Sequence, residues 1–405
     1  MKKQAIIYGA GNIGRGFIGV LFSQSGYDVA FIDVAQPLVR QINEAGRYTV
    51  RMVTNSDHED IVVSGVRAID GTDTEAICEA FAHADLVATA VGVNVLGKIA
   101  PNLAAAFRYR FTKTDAPLDV IICENLLDAD RVLAQMIRQY LTQPEETLFF
   151  KRIGMVEASI GRMVPIQTDQ MRDGDPLRIC AERYAYLPVD RAAFRGEIPA
   201  INELVPHEPF GYYIHRKLFL HNMGHAVCAY LGQCFGYTYI AEALEDSDLM
   251  LLVKNAMLES MIALSAEYHM PVQPLFAHVE DLLLRFQNRE LGDTCARVGQ
   301  DPVRKLSQED RLIGAMQLCL TQEIDPFSIA LGAAAALNCY IRQKGLPQTV
   351  EQALDSLQEL AGLLPESKSA RLILPLYLEI ERGTSLKLLR RTVDLLRQQN
   401  AKPVV

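Results

Sequence analysis

Lys217, Asn222 and His225 stand together in the stretch Arg216-Lys217-Leu218-Phe219-Leu220-His221-Asn222-Met223-Gly224-His225, whose apolar spacing predicts a helix. At about 100° per residue the three side chains fall within an arc of roughly 140°, so one helix face can present all of them to a cleft. A lysine that loses its charge can take a proton. An amide can donate to an oxygen that becomes negative, and an imidazole can orient a hydroxyl. The combination suggests an enzyme. His221 and His225 also have the spacing of a metal-binding pair, but Asn222 stands where a metalloprotease helix carries glutamate and no third ligand is evident, so no metal is expected. The absence of GxSxG and GxxxxGK[ST] removes the usual hydrolase elbow and the nucleoside-triphosphate loop.

The elements that must position this chemistry begin at the N-terminus. Gln4-Ala5-Ile6-Ile7-Tyr8 reads as a buried strand, and Gly9-Ala10-Gly11-Asn12-Ile13-Gly14 turns from it into a helix. In that setting Gly9 permits the tight turn, Gly11 lets backbone approach a pyrophosphate, and Gly14 allows close helix packing, with Asn12 and Ile13 completing the loop. A second strand over residues 28–32 ends at Asp33, whose carboxylate can bind the ribose hydroxyls of NAD and would repel the extra phosphate of NADP. Two more strands are expected, over residues 85–90 and 119–123. The first delivers Thr89, Val91 and Gly92 toward the cofactor, and the second delivers Glu124 and Asn125. Asn125 either lies near a nicotinamide or caps a helix over residues 126–140. Residues 178–187 read as a further strand, and the boundary is expected near Gly196.

Beyond Ile214 the periodicity is helical, over residues 249–267, 279–287, 311–322, 326–343 and 372–399, with no convincing strand. The expected architecture is therefore an α/β N-terminal domain, 1–196, with a Rossmann-type doubly wound sheet, followed by an all-α C-terminal domain, 197–405. Such a division lets the cofactor come from one half and the chemistry from the other. Between two predicted helices, Arg297 to Ser307 gathers Arg297, Arg304 and Lys305. These cations can bind a phosphate or sugar hydroxyls, or serve helix ends. The run Ala333-Ala334-Ala335-Ala336 reads as a tight helix contact.

At 405 residues, with 49% hydrophobic and 22% charged residues, two ordinary globular domains are expected. A net charge of -9 argues against a nucleic-acid partner. No run reaches the roughly 18 apolar residues of a membrane span, and Gly9, Asn12 and Arg15 interrupt any signal-like start. Eight cysteines without regular spacing read as thiols in a reducing cytosol, so a cytoplasmic protein is expected.

Taken together, Gly9 to Gly19, Thr89-Ala90-Val91-Gly92, Cys123-Glu124-Asn125, Lys217-x4-Asn222-x2-His225 and Arg297 to Ser307 resemble the polyol-specific long-chain dehydrogenase/reductase family over nearly the full length. The resemblance implies that Lys217 is the general base, that Asn222 and Asn125 hold the alkoxide, and that His225 contacts the substrate. It further implies that Arg297 and Lys305 bind the substrate's far end, that the cofactor is NAD, and that no metal is needed. It implies reversible oxidation of a small sugar-alcohol phosphate, D-mannitol 1-phosphate to D-fructose 6-phosphate, and leaves the oligomeric state open. Two departures stand out. Gly161 replaces the aspartate of the family's Asp-Arg-x-x-Pro element, and Ile214 and His215 stand where a glutamate often precedes the lysine, with His215 a candidate for the proton route. An unphosphorylated polyol or hexonate (mannitol, altronate, mannonate) is therefore an alternative substrate. A non-catalytic NAD(H)-binding regulator is the alternative of another class.

Overall fold

The computed structural model describes residues 2–400. Short apolar runs form eleven strands: β1 (Gln4–Tyr8), β2 (Asp28–Asp33), β3 (Arg47–Val53), β4 (His58–Ser64), β5 (Val66–Asp70), β6 (Leu86–Thr89), β7 (Leu118–Ile122), β8 (Ile153–Glu157), β9 (Ile179–Ala181), β10 (Leu187–Asp190) and β11 (Leu204–His207). Six pair in parallel in the order β5-β2-β1-β6-β7-β8. Alternate residues of one strand feed two cores, Ile7 joining Phe17, Leu21 and Phe31 on one face, Ile6 joining Phe81, Phe107 and Phe149 on the other. Burial of both faces explains the near-continuous apolar strands. The strand order reverses between β1 and β6, the switch point where open parallel sheets bind ligands.

Five strands, β3, β4, β5, β8 and β11, went unread in the sequence. β3 pairs antiparallel with β4, and β9 adds to β3 in parallel, so these three form a separate sheet. The single strand expected over residues 178–187 is two, β9 and β10. The intervening residues are tied sideways: Glu182 accepts the Met163 N–H at 2.5 Å, and Arg162 donates through Nε to the Tyr184 carbonyl. β10 pairs with β11 in parallel, which keeps the chain in the first unit past Gly196. The units divide between Tyr213 and Ile214.

From Ile214 on, the described residues form helices and no strand. Helix Phe327–Gln343 is buried through its alanine run. A Cβ at Gly332 would lie 2.4 Å from Val227 Cγ2, so helix Met223–Cys234 crosses it in close contact, as the run suggested. Helix Ser247–Tyr268 is long and apolar enough to cross a bilayer, yet Leu252, Val253, Ala256, Met257 and Leu264 are fully buried in this core. The helix expected over 372–399 is two, Lys368–Glu381 and Leu386–Asn400, because Gly383 turns the chain with φ of 73°. All eight cysteines are free thiols.

Candidate active site

In the first unit the glycine-rich loop has the shape its sequence requires. Gly9 holds φ at 108°, and a Cβ there would sit 2.4 Å from the Ala90 carbonyl oxygen; one at Gly14 would sit 2.0 Å from the Gly9 carbonyl oxygen. Gly11 faces open space, with nothing within 4 Å of the Cβ position. The loop is thus locked at both ends and bare in the middle, the form that admits a pyrophosphate to backbone N–H groups. Asp33 accepts the Ala10 N–H at 2.8 Å and the Ala35 N–H at 2.9 Å, so the carboxylate at the end of β2 also fastens the loop after β1. The Asn12 side-chain amide donates to the Pro165 carbonyl at 2.9 Å, which gives this residue a scaffolding task besides its place in the loop.

Gly14–Ile18 winds as a π-helix rather than an α-helix. Tyr48 Oη donates to the Arg15 carbonyl at 2.9 Å and Arg162 Nη1 to the Gly16 carbonyl at 3.0 Å, so outside donors take carbonyls that the wider turn leaves available. Thr89, Val91 and Gly92 follow the end of β6. Glu124, placed by the sequence at the end of β7 without a role, is buried and accepts the Val91 and Gly92 N–H groups at 2.9 and 2.8 Å. Burial pushes its carboxyl up, against the pull of those two donors. Asn125 is exposed beyond the end of β7. It does not cap the next helix, which starts at Ala129 with Asp128 at the cap position.

Gly161 proves to be a packing position. A Cβ there would lie 2.9 Å from Tyr184 Cε1, so the ring of Tyr184 takes the room an aspartate would need. Arg162 beside it is buried, its guanidinium 4.6 Å from the centre of the Phe17 ring.

In the second unit the lysine helix differs from expectation in its winding. Arg216–Asn222 forms a second π-helical stretch that continues as the α-helix Met223–Cys234. Ser260 Oγ donates to the Phe219 carbonyl at 2.6 Å, again an outside donor inserted into the ladder. Residues five apart diverge by about 140° in an α-helix, whereas i→i+5 bonding brings them toward one face. The winding therefore draws Lys217 and Asn222 together, with His225 one α-turn further on.

Lys217 is part-buried, and burial pushes its ammonium down to about 8, with repulsion from Arg311 and Arg304 adding to the fall. The His225 ring stacks on Phe286, centroids 4.6 Å apart and planes at 10°. Its Nε2 lies 3.4 Å from Asp293 Oδ2, a close electrostatic contact rather than an aligned hydrogen bond. Asp293 also pairs with Arg297. Burial opposes ionisation there, but His225 and Arg297 together hold the carboxyl below its usual range. Lys305 is buried, with Arg304, Arg311, Asp301 and Asp310 as the charges acting on it. Its Nζ donates to the Gln300 carbonyl.

The residues expected at the substrate's far end thus belong to two clusters, Arg297 with Asp293 and His225, and Lys305 with the arginines that also act on Lys217. Asp293 and Arg311 carried no local sequence signal. His215 donates to or accepts from Tyr268 Oη at 2.6 Å through Nδ1, and burial lowers its pKa against the pull of Glu267. No group of three or more His, Cys, Asp or Glu side chains among the described residues is arranged to hold a metal.

Residues 3–203 match the mannitol dehydrogenase Rossmann domain and residues 210–362 the mannitol dehydrogenase C-terminal domain. A mannitol-1-phosphate 5-dehydrogenase of Brevibacillus brevis is 40% identical over 333 residues, 82% of this chain and 85% of that protein. One of Geobacillus thermodenitrificans is 37% identical over 368 residues, 89% and 94% of the two chains. The solved ternary complex of Pseudomonas fluorescens mannitol 2-dehydrogenase with NAD and D-mannitol is similar at a TM-score of 0.75 and 15% identity, covering 98% of this chain and 95% of that one. That likeness is one of fold.

Proposed function

The chain belongs to the mannitol dehydrogenase family, and from that premise we propose that it is an NAD-dependent polyol-phosphate dehydrogenase of the cytoplasm. It oxidises D-mannitol 1-phosphate at C5 to D-fructose 6-phosphate, reversibly, as the names of relatives at 37–40% identity support. The observation that carries the mechanism is the π-wound stretch Arg216–Asn222, which bears both Asn222 and a lysine whose ammonium burial pushes down to about 8.

NAD, when bound, supplies the acceptor for the hydride. Gly9, Gly11, Asn12, Ile13 and Gly14 would hold its pyrophosphate, Asp33 its ribose hydroxyls, and Thr89, Val91 and Gly92 the remainder. The open backbone at Gly11 and the Asp33 carboxylate, held at the end of β2 by the Ala10 and Ala35 N–H groups, fit that ligand. Lys217 Nζ, in its neutral form, removes the C5 hydroxyl proton. Asn222, and by the family pattern Asn125, donate to the oxygen as it becomes negative, each worth about 3 kcal/mol in such settings. His225, fixed by Phe286 and Asp293, orients the hydroxyl, while Arg297 and Lys305 hold the far end of the substrate. In reduction the protonated Lys217 returns the proton to the carbonyl oxygen.

The test follows NADH absorbance with mannitol 1-phosphate, mannitol, altronate and mannonate. Mannitol 1-phosphate is expected to be the preferred substrate. Lys217→Ala should bind NADH normally and lose turnover by about 10²- to 10⁴-fold. Retained turnover rejects the assignment of the base.

A further inference from the structure

Three cations on neighbouring turns, Arg304, Lys305 and Arg311, share two carboxylates, Asp301 and Asp310. Arg304 pairs with Asp301 and also approaches Asp310. Its Nε lies 2.9 Å from Asp301 and its Nη1 3.8 Å from Asp310, and it is half exposed. Arg311 and Lys305 are buried instead, at 7% and 5% exposure. Arg311 contacts Asp310 through Nε at 2.6 Å, yet its Nη2 is buried with no acceptor. An ionised donor left in that state is costly, so it calls for a partner from outside the chain, such as a ligand, a water or an ion. The Tyr230 hydroxyl, which senses Arg311 and Arg304, is also buried without a partner.

The cluster adjoins the reacting lysine. A Cβ at Gly314 would lie 2.8 Å from Phe219 Cε1, so the turn that carries Arg311 packs against the π-wound stretch that carries Lys217. The repulsion Lys217 receives from Arg311 and then Arg304 agrees with this placement.

We propose that Arg311 is a substrate-binding and specificity-determining residue: its guanidinium edge, with Lys305, binds the phosphomonoester dianion of the substrate and makes the enzyme prefer phosphorylated over unphosphorylated polyols. A planar guanidinium offers two parallel donors to phosphate oxygens, and the excess of buried positive charge is cancelled when a dianion enters. A neutral polyol leaves both the charge and the Nη2 donor unsatisfied, so discrimination comes from the cost of the wrong substrate as well as the contact with the right one. The inference rests on the polyol-phosphate reading above.

The experiment measures kcat/KM for NADH-dependent reduction of fructose 6-phosphate and of fructose by the full-length enzyme and by Arg311→Gln and Arg311→Lys. It also measures competitive inhibition by inorganic phosphate. Taking the ratio of the two ketoses cancels any effect of Arg311 on Lys217, which is common to both. Loss of one charge-assisted contact predicts that Arg311→Gln lowers the preference for fructose 6-phosphate about 10- to 100-fold, mainly through KM, and weakens phosphate inhibition in proportion. Arg311→Lys, which keeps the charge and lacks the fork, should fall between. NADH fluorescence, free of interference in a chain without tryptophan, reports whether each variant retains the nucleotide fold. A preference and a phosphate inhibition constant within about twofold of wild type in a variant that binds NADH overturn the role of Arg311 and leave the activity standing. A wild-type enzyme that reduces neither ketose overturns the activity and this inference together. If Arg311→Gln does not fold, the Arg311→Lys ratio decides, and an unchanged ratio there overturns the proposal.

Discussion

The displaced titration of Lys217 gives the most direct test of how the site works. Lowering an ammonium from its ordinary 10.5 to about 8 corresponds to about 3 kcal/mol of preference for the neutral amine. At pH 7 roughly one molecule in ten then carries the base form, against about one in three thousand for an unperturbed lysine. For oxidation of mannitol 1-phosphate, kcat/KM should rise about tenfold per pH unit up to about 8 and level off above it. Reduction needs the protonated amine and should decline through the same region. Initial rates followed by NADH absorbance from pH 6 to pH 10 measure both limbs.

The same displacement makes a statement about stability. Between about pH 8 and 10.5 the unfolded chain binds a proton at this lysine that the folded chain does not, so stability from this group increases with pH across that window. Below about 8 the folded protein carries the full penalty of a desolvated ammonium. Lys217→Met should therefore be inactive yet more stable than wild type at pH 7, by up to about 3 kcal/mol, with the gain fading toward pH 10.5. Denaturant unfolding at pH 7 and pH 10 checks this. A limb that inflects near 10.5, or a variant equally destabilised at both pH values, refutes the account of a lysine neutralised by burial and by Arg311 and Arg304.

Two further outcomes follow from the nucleotide loop. Gly14→Ala places a Cβ 2.0 Å from the Gly9 carbonyl oxygen, where backbone must move, so NADH affinity should fall by at least about tenfold in a fluorescence titration; binding within twofold of wild type would show that the loop relaxes freely. Asp33→Asn removes the charge expected to repel the 2′-phosphate of NADP while its amide still reaches the loop. The ratio of kcat/KM for NAD to that for NADP should drop about 10- to 100-fold, and an unchanged ratio would place cofactor selection elsewhere.

The nucleotide loop was legible because its constraints are local. A strand, three glycines at fixed spacing and an acid at the end of the next strand specify one turn, whatever the rest of the chain does. The helical second half was legible in kind because its apolar residues recur at three and four. Its break at Gly383 was not, since apolar periodicity continues across the turn from Leu372 to Leu396 and outweighs a lone glycine. β3 and β4 escaped notice because β4 is exposed along most of its length and keeps little of the alternation that marks a half-buried strand.

Other features were decided only when distant segments met. Lys217, Asn222 and His225 are named by their types and order, but the winding that draws the first two toward one face depends on the Ser260 hydroxyl reaching the Phe219 carbonyl. The proton affinity of Lys217 is likewise set by burial and by Arg304 and Arg311, far along the chain. Gly161 looked like a missing carboxylate in the sequence; in three dimensions it is room for the Tyr184 ring. Residue identity along the chain supplies which chemical groups exist and which turns they can make. Their angle, charge state and partners depend on desolvation and Coulomb interactions between atoms that only folding brings within a few ångströms.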